Sequence, residues 1–147
     1  MVNEVIADPL AVANELRPVL LRLARELRKE TEQLGVTSRQ VTLLWLIRGN
    51  PGMSLRELAA EERISAPALS GHVDRLESAG LLERVRDEGD RRRVGLTLTA
   101  DGERLLKRVR ARRTTWLADR LRGLEEDEVA AIEAAIGPLA KLLGKPL

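Results

Sequence analysis

The chain has 147 residues and a formal net charge of +2; it is 44% hydrophobic and 33% charged, with two tryptophans as its only aromatics and no cysteine. This is long enough for one compact domain with helical extensions and too apolar for a disordered chain. The lack of cysteine excludes a disulfide framework, a thiolate zinc site and a thiol nucleophile or redox switch, and one histidine makes a histidine-rich metal centre untenable.

Asp8-Pro9 has the form of an N-cap followed by proline at the first helical position. Leu16, Val19, Leu20, Leu23 and Leu27 follow at helical spacing toward Leu34-Gly35, with a kink or a late start expected at Pro18. Thr37-Ser38-Arg39-Gln40 is a capping box opening a second helix that is apolar nearly all round and belongs in the core. Its apolar run at 43–47 is far too short to span a bilayer. Met1-Val2-Asn3-Glu4 has neither the basic nor the apolar region of a signal peptide, so a cytoplasmic protein without a membrane partner is expected. Gly49-Asn50-Pro51-Gly52 ends the second helix.

Ser54-Leu55-Arg56-Glu57 is another capping box, starting a short helix through Leu58, Ala59 and Ala60. After a break of two or three residues, Ser65-Ala66-Pro67 starts the next helix, with Leu69, Val73 and Leu76 on one face and Gly80 placed to end it. Two short helices joined so tightly form a helix-turn-helix, whose second member can enter a major groove. Beyond Gly80 the period changes to two. Val94, Leu96 and Leu98 describe a half-buried strand, and residues 81–86 supply its antiparallel partner through Asp87-Glu88-Gly89-Asp90. A hairpin placed directly after such a helix is a wing, and Arg91 and Arg92 at its tip can reach phosphates or a minor groove. The stretch 84–122 carries thirteen basic and six acidic side chains, net +7, which suggests a polyanion partner hidden by the balanced total. An Arg-rich solvated face is the plain alternative.

Thr99 can cap a long helix to about Arg122, with Leu105, Leu106, Val109, Trp116, Leu117 and Leu121 as its apolar residues. Glu125 to Glu128 place acids at the start of a last helix, where the macrodipole favours them, and Pro138 is expected to bend or divide it. Val129, Ile132, Ile136, Leu139, Leu142 and Leu143 give it an apolar face. The terminal helices carry more apolar surface than a small winged domain can hide, so a two-fold partner chain is the natural cover.

In this order, Leu58-Ala59, Ile64-Ser65-Ala66-Pro67, Val73-Asp74-Arg75-Leu76-Glu77, Gly80-Leu81-Leu82-Glu83-Arg84, Asp90-Arg91-Arg92 and Leu98-Thr99-Ala100-Asp101-Gly102 resemble the MarR family of bacterial transcription regulators. The signature covers 54–102, and the helix order extends it over nearly the whole chain. The resemblance implies a mainly α (α+β) fold filling 1–147, with a winged helix-turn-helix lobe at 37–98 and a helical dimerisation region built from 8–34 and 99–143. It implies a homodimer acting on double-stranded DNA, a repressor in function, at an inverted-repeat operator, relieved by a small aromatic or anionic effector. It calls for no cofactor and no metal. The chain departs from many relatives in having Glu62 and Arg63 where they have leucine and glycine, so its turn must close without glycine. It also has Gly71 where several carry a base-reading arginine, which shifts readout to Ser70, His72 and Arg75 or to DNA shape.

The DNA-contacting set is therefore Ser65, Ala66, Pro67, Ser70, His72, Arg75, Arg91 and Arg92. Ser65 also serves as an N-cap, His72 has an equal claim to a packing role, Arg75 could instead pair with Asp74, Glu77 or a wing acid, and Asp90 is expected to fix the wing by pairing with a neighbouring arginine. Trp45 and Trp116 are core residues by type, yet the family's ligand cleft lies near the helices that carry them, which makes both candidates for effector binding. An enzyme would need more than one histidine, a phosphate-binding loop or metal spacing. A helical interaction module, or a dimeric regulator without an effector, are the competing readings; the first leaves the arginine-tipped wing unexplained.

Overall fold

The computed structural model describes residues 6–90 and 92–144; Arg91 and the terminus at residues 1–4 lie outside them. The elements run α1(Pro9–Glu32), α2(Ser38–Gly49), β1(Met53–Ser54), α3(Leu55–Glu62), α4(Ala66–Ser78), β2(Leu82–Arg86), β3(Val94–Leu98), α5(Ala100–Leu121) and α6(Glu126–Lys141). The fold is mainly helical with a small antiparallel sheet.

The caps act as their residue types dictate. The Asp8 side chain accepts the Leu10 N–H at 3.1 Å, and Thr37 with Gln40 and Ser54 with Glu57 form complete capping boxes. Thr99 Oγ1 accepts the Gly102 N–H at 3.1 Å while donating to the Gly80 carbonyl at 2.5 Å, so one hydroxyl starts α5 and ties it to the end of α4. At each proline one of the two expected outcomes is excluded. Pro18 does not start α1 late, and Pro138 does not divide α6: both helices run through them. Each ring removes one N–H from the ladder, and on these exposed helices the freed carbonyl can turn to solvent.

The sheet has three strands in the order β1-β3-β2, not the two the alternation predicts. β1 is two residues long, too short to show a period; Met53 pairs with Leu96 and Ser54 with Gly95. Gly95 is required there, since a Cβ on it would stand 2.7 Å from Gly52 Cα. β2 and β3 pair from Leu82↔Leu98 to Arg86↔Val94. Leu96 is fully buried as its alternation demands, whereas Val94, toward the tip, is exposed.

The chain divides into two compact units, Met1–Arg112 and Arg113–Leu147. In the first, Val41, Leu43, Leu44 and Ile47 of α2 pack with Leu58, Leu69, Val73, Leu76, Leu82, Leu96, Leu105, Leu106 and Val109 in one core. Gly102 lets α5 approach this core closely: a Cβ there would meet the Leu81 carbonyl oxygen at 2.1 Å. Arg48–Glu103 at 3.0 Å joins α2 to α5, and Arg112–Glu30 at 3.3 Å joins α5 to α1. In the second unit, α6 begins with the Glu128 side chain accepting the Glu125 N–H at 3.1 Å, and it buries no residue. No described helix is long and apolar enough to cross a membrane.

Candidate nucleic-acid interface

The link between α3 and α4 closes without glycine because Arg63 itself adopts the left-handed conformation, φ 53° and ψ 42°. That conformation costs a non-glycine residue on the order of 1 kcal/mol. It is held by bonds from the Arg63 N–H to the end of α3 and from the Ile64 N–H to the Ala59 carbonyl at 3.2 Å. Ser65 then caps α4, its Oγ accepting the Ala68 N–H at 3.3 Å. With Leu69, Val73 and Leu76 buried, the face bearing Ala66, Pro67 and Arg75 is turned to solvent, with Ser70, Gly71 and His72 half-buried beside it. This brings Ser65, Ala66, Pro67, Ser70, His72 and Arg75 onto one helix.

Arg75 does not pair with an acid among the described residues. Its Nη2 lies 3.3 Å from His72 Nδ1. A guanidinium can only donate, so Nδ1 is the acceptor and the imidazole proton sits on Nε2. Burial first, then the charges of Arg75 and Arg39, hold the His72 pKa below its ordinary value, which favours this neutral acceptor.

The acids expected to compete for Arg75 are taken by the wing. Arg84 on β2 forks between Asp74, Nη2–Oδ1 2.9 Å, and Glu77, Nη1–Oε1 2.5 Å. The Asp74 hydrogen bond, with the charges of both acids, raises the Arg84 pKa. At the other end of the hairpin, Arg93 donates from Nη2 to both Glu57 oxygens at 2.8 and 3.0 Å, while Glu57 also accepts the Ser54 N–H at 3.1 Å. One arginine thus fastens the wing to α4 and another to the start of α3. A half-exposed ion pair stabilises by only about 0–1 kcal/mol; forked pairs at two ends of a hairpin chiefly fix its direction. Glu57 could be read from the sequence as a cap, but its bond to Arg93, 36 residues away, carries no local signal. Arg84 was visible only as part of a motif.

At the tip, Asp87 Oδ1 accepts the Gly89 N–H at 2.9 Å, and Asp90 Oδ1 accepts the Arg92 N–H at 3.0 Å. Asp90 thus fixes the wing through the backbone and not by an ion pair with a described arginine, because a side chain this short reaches the N–H two residues on most readily. The Arg92 side chain is exposed and without a protein partner among the described residues. Arg91 lies outside them.

Trp45 is half-buried against the core, with the Arg48 guanidinium 5.3 Å from its ring centre. It lines a cavity of about 70 Å³ with Arg48, Glu103, Leu106, Lys107 and Arg110. Trp116 belongs to the second unit and has Arg120 at 5.1 Å over its ring. A larger concavity, about 620 Å³, is lined by Ala79, Leu81, Asp101, Arg104, Lys107 and Arg108 and includes neither tryptophan. No group of three or more metal-binding side chains exists among the described residues.

A model of the MarR family matches residues 36–94, the stretch that builds this interface up to the start of β3. The HTH-type transcriptional regulator FarR of Neisseria gonorrhoeae is 33% identical over 138 residues, 93% of this chain and 78% of that protein. A MarR family protein of Bacillus stearothermophilus superposes with a TM-score of 0.77 at 25% identity, over 95% of this chain and 100% of that one. A Staphylococcus aureus MepR mutant bound to an oligodeoxyribonucleotide shares the fold, with a TM-score of 0.70 at 21% identity, over 89% of this chain and 96% of that one.

Proposed function

The chain belongs to the MarR family of transcriptional regulators, and from that premise we propose that it is a cytoplasmic repressor acting as a homodimer on an inverted-repeat operator. The observation that carries the reading is the pairing of α4, with its outer face free, and a basic hairpin fastened to it through Arg84, Asp74 and Glu77. With α4 in a major groove, Arg92, joined by Arg91, is on the element that reaches the flanking backbone or minor groove. Ser65, at the N-terminus of α4, adds an approach to phosphate beside its cap. The MepR mutant's bound oligonucleotide supports DNA as the partner.

Dimerisation is supported by the apolar faces at the two ends of the chain. Leu10, Val19, Leu21, Ile132, Ile136, Leu142 and Leu143 are all exposed, and a globular monomer seldom leaves such rows uncovered. Two-fold symmetry then sets half-sites about one helical turn apart.

An effector is the last part of the reading. Arg48, Lys107 and Arg110 around Trp45 suit an aromatic or anionic molecule. The cavity of about 70 Å³ must widen to reach the roughly 300–1,000 Å³ of small-molecule sites. Trp116 is assigned to effector binding on the family resemblance alone. Selection from randomised duplex DNA by the purified protein, with light scattering on the complex, tests the core of the proposal. An enriched inverted repeat bound by two copies is expected; binding without sequence preference would defeat it.

A further inference from the structure

Arg75 is the sole lysine or arginine of α4. Side chains on a helix lean toward its N-terminus, and that of Arg75 reaches back a full turn. Its Nη2 lies 3.3 Å from His72 Nδ1 and 3.9 Å from where a Cβ on Gly71 would stand. The guanidinium therefore covers the middle of the helix, at a place that a long side chain on residue 71 would fill. The rest of the outer face is poor in donors. Ala66, Pro67 and Ala68 have none, Asp74 and Glu77 only accept and are bound to Arg84, and the hydroxyls of Ser65, whose Oγ accepts in the cap, and of half-buried Ser70 are short.

Resting on the DNA-binding reading above, we propose that Arg75 is the base-reading residue of α4, recognising one guanine in each half-site, with Gly71 leaving room for its guanidinium and His72 fixing its direction. A guanidinium has five N–H donors. One is spent on the imidazole, and the terminal Nη1/Nη2 fork is left to meet guanine O6 and N7, the commonest specific major-groove contact. Arg75 is thus the specificity-determining residue and His72 a positioning residue. Gly71, which as a bare position offers the DNA no side chain, contributes by vacancy.

The test is selection from randomised duplex DNA with wild type and six variants, followed by titration on the enriched duplex and on one with the specified G·C pairs replaced by A·T. Wild type should lose affinity roughly 5- to 150-fold for each replaced pair. Arg75→Ala and Arg75→Lys should bind the two duplexes alike, the lysine keeping its charge but not the planar fork. Gly71→Leu and His72→Phe should lose the preference at this one base pair and no other. Gly71→Ala makes only an ordinary contact, and His72→Asn places an acceptor where Nδ1 stands, so both should keep it. Thermal unfolding and titration on an unrelated duplex show whether each variant is folded and binds DNA generally. Should wild type enrich no sequence, the DNA-operator reading itself fails. An enriched repeat whose G·C preference survives Arg75→Ala overturns the assignment of Arg75. A preference lost in Arg75→Ala but kept in both Gly71→Leu and His72→Phe overturns the roles of those neighbours.

Discussion

The winged lobe and the terminal helices use the same aliphatic residues to opposite ends. In the lobe, Leu43, Leu44, Ile47, Leu58, Leu69, Val73 and Leu96 are all 0% exposed. At the ends, Leu10 is 70% exposed, Leu21 60%, Ile136 57% and Leu142 71%. The lobe closes on itself because several elements each turn a few apolar residues toward one point. The terminal helices each carry an apolar stripe without enough of the same chain to cover it; α6 buries no residue, and α1 buries only Thr31. The winged region closes one core together with the start of α5, whereas the exposed stripes at the ends are what the proposed dimer would cover.

Ile136→Asp is the strongest way to break that contrast. If α6 is covered by a second copy, an uncompensated carboxylate there should weaken association by about 3–5 kcal/mol. Light scattering at micromolar concentration should fall from a dimer mass to a monomer mass while helical circular dichroism persists. A dimer mass in the variant, or a monomer mass in wild type, would remove α6 from the interface. Leu44→Ala and Leu21→Ala sharpen the contrast from the other side. The first should cost about 2–5 kcal/mol in urea unfolding because it leaves a cavity in a closed core. The second should cost the fold of a single chain no more than about 0.5 kcal/mol, like most exposed substitutions, and act on dimer mass instead. Equal unfolding losses would mean that the two regions are not different in kind.

Within the lobe, Arg92→Ala separates a surface that binds from one that is merely solvated. It should weaken operator binding by about 1–3 kcal/mol. If Arg92 follows minor-groove width, the loss should be greater on A·T-rich flanks; if it neutralises a phosphate, the loss should be uniform and the salt slope should fall by about one. Unchanged titrations on both flanks at two salt concentrations would take the wing off the DNA.

The same contrast explains what could be read in the sequence. Caps were legible because Asp8, Thr37, Ser54 and Thr99 act on N–H groups two or three residues away. The helical and strand periods gave the order of the main elements. The strand β1 was not legible, because its existence depends on Gly95 admitting Gly52 from a distant segment. Nor were the braces of the site: Glu57 meets Arg93 and Asp74 meets Arg84 only after the chain has folded. Gly71 was read as a missing donor, and only three dimensions show Arg75 lying over it. Residues 91 and 92 were a plain tip signal, but Asp90 beside them serves the backbone, a choice that turn geometry makes and charge pattern does not.

The smallest expected effect lies at His72 and concerns pH. Arg75 faces the imidazole from its own helix and Arg39 from α2, and Glu62 pairs with Arg39 at 3.6 Å. Burial and the two cations lower the folded-state pKa from the ordinary 6.5. Above that ordinary value the ring is neutral in both folded and unfolded chains and contributes nothing to the pH dependence. As pH falls through it, the unfolded chain takes up the proton first, so stability declines; below the folded-state pKa the whole penalty is in place. The urea midpoint of wild type should therefore drop relative to that of His72→Asn between about pH 7 and pH 5, with the two curves parallel at higher pH. Parallel curves throughout, or a wild type that gains on its variant in acid, would refute the depressed pKa. A second readout follows from the chemistry of the pair. A protonated imidazole has no lone pair for Arg75, so preference for the G·C pair should weaken on acidification in wild type and hold in His72→Asn, whose acceptor does not titrate.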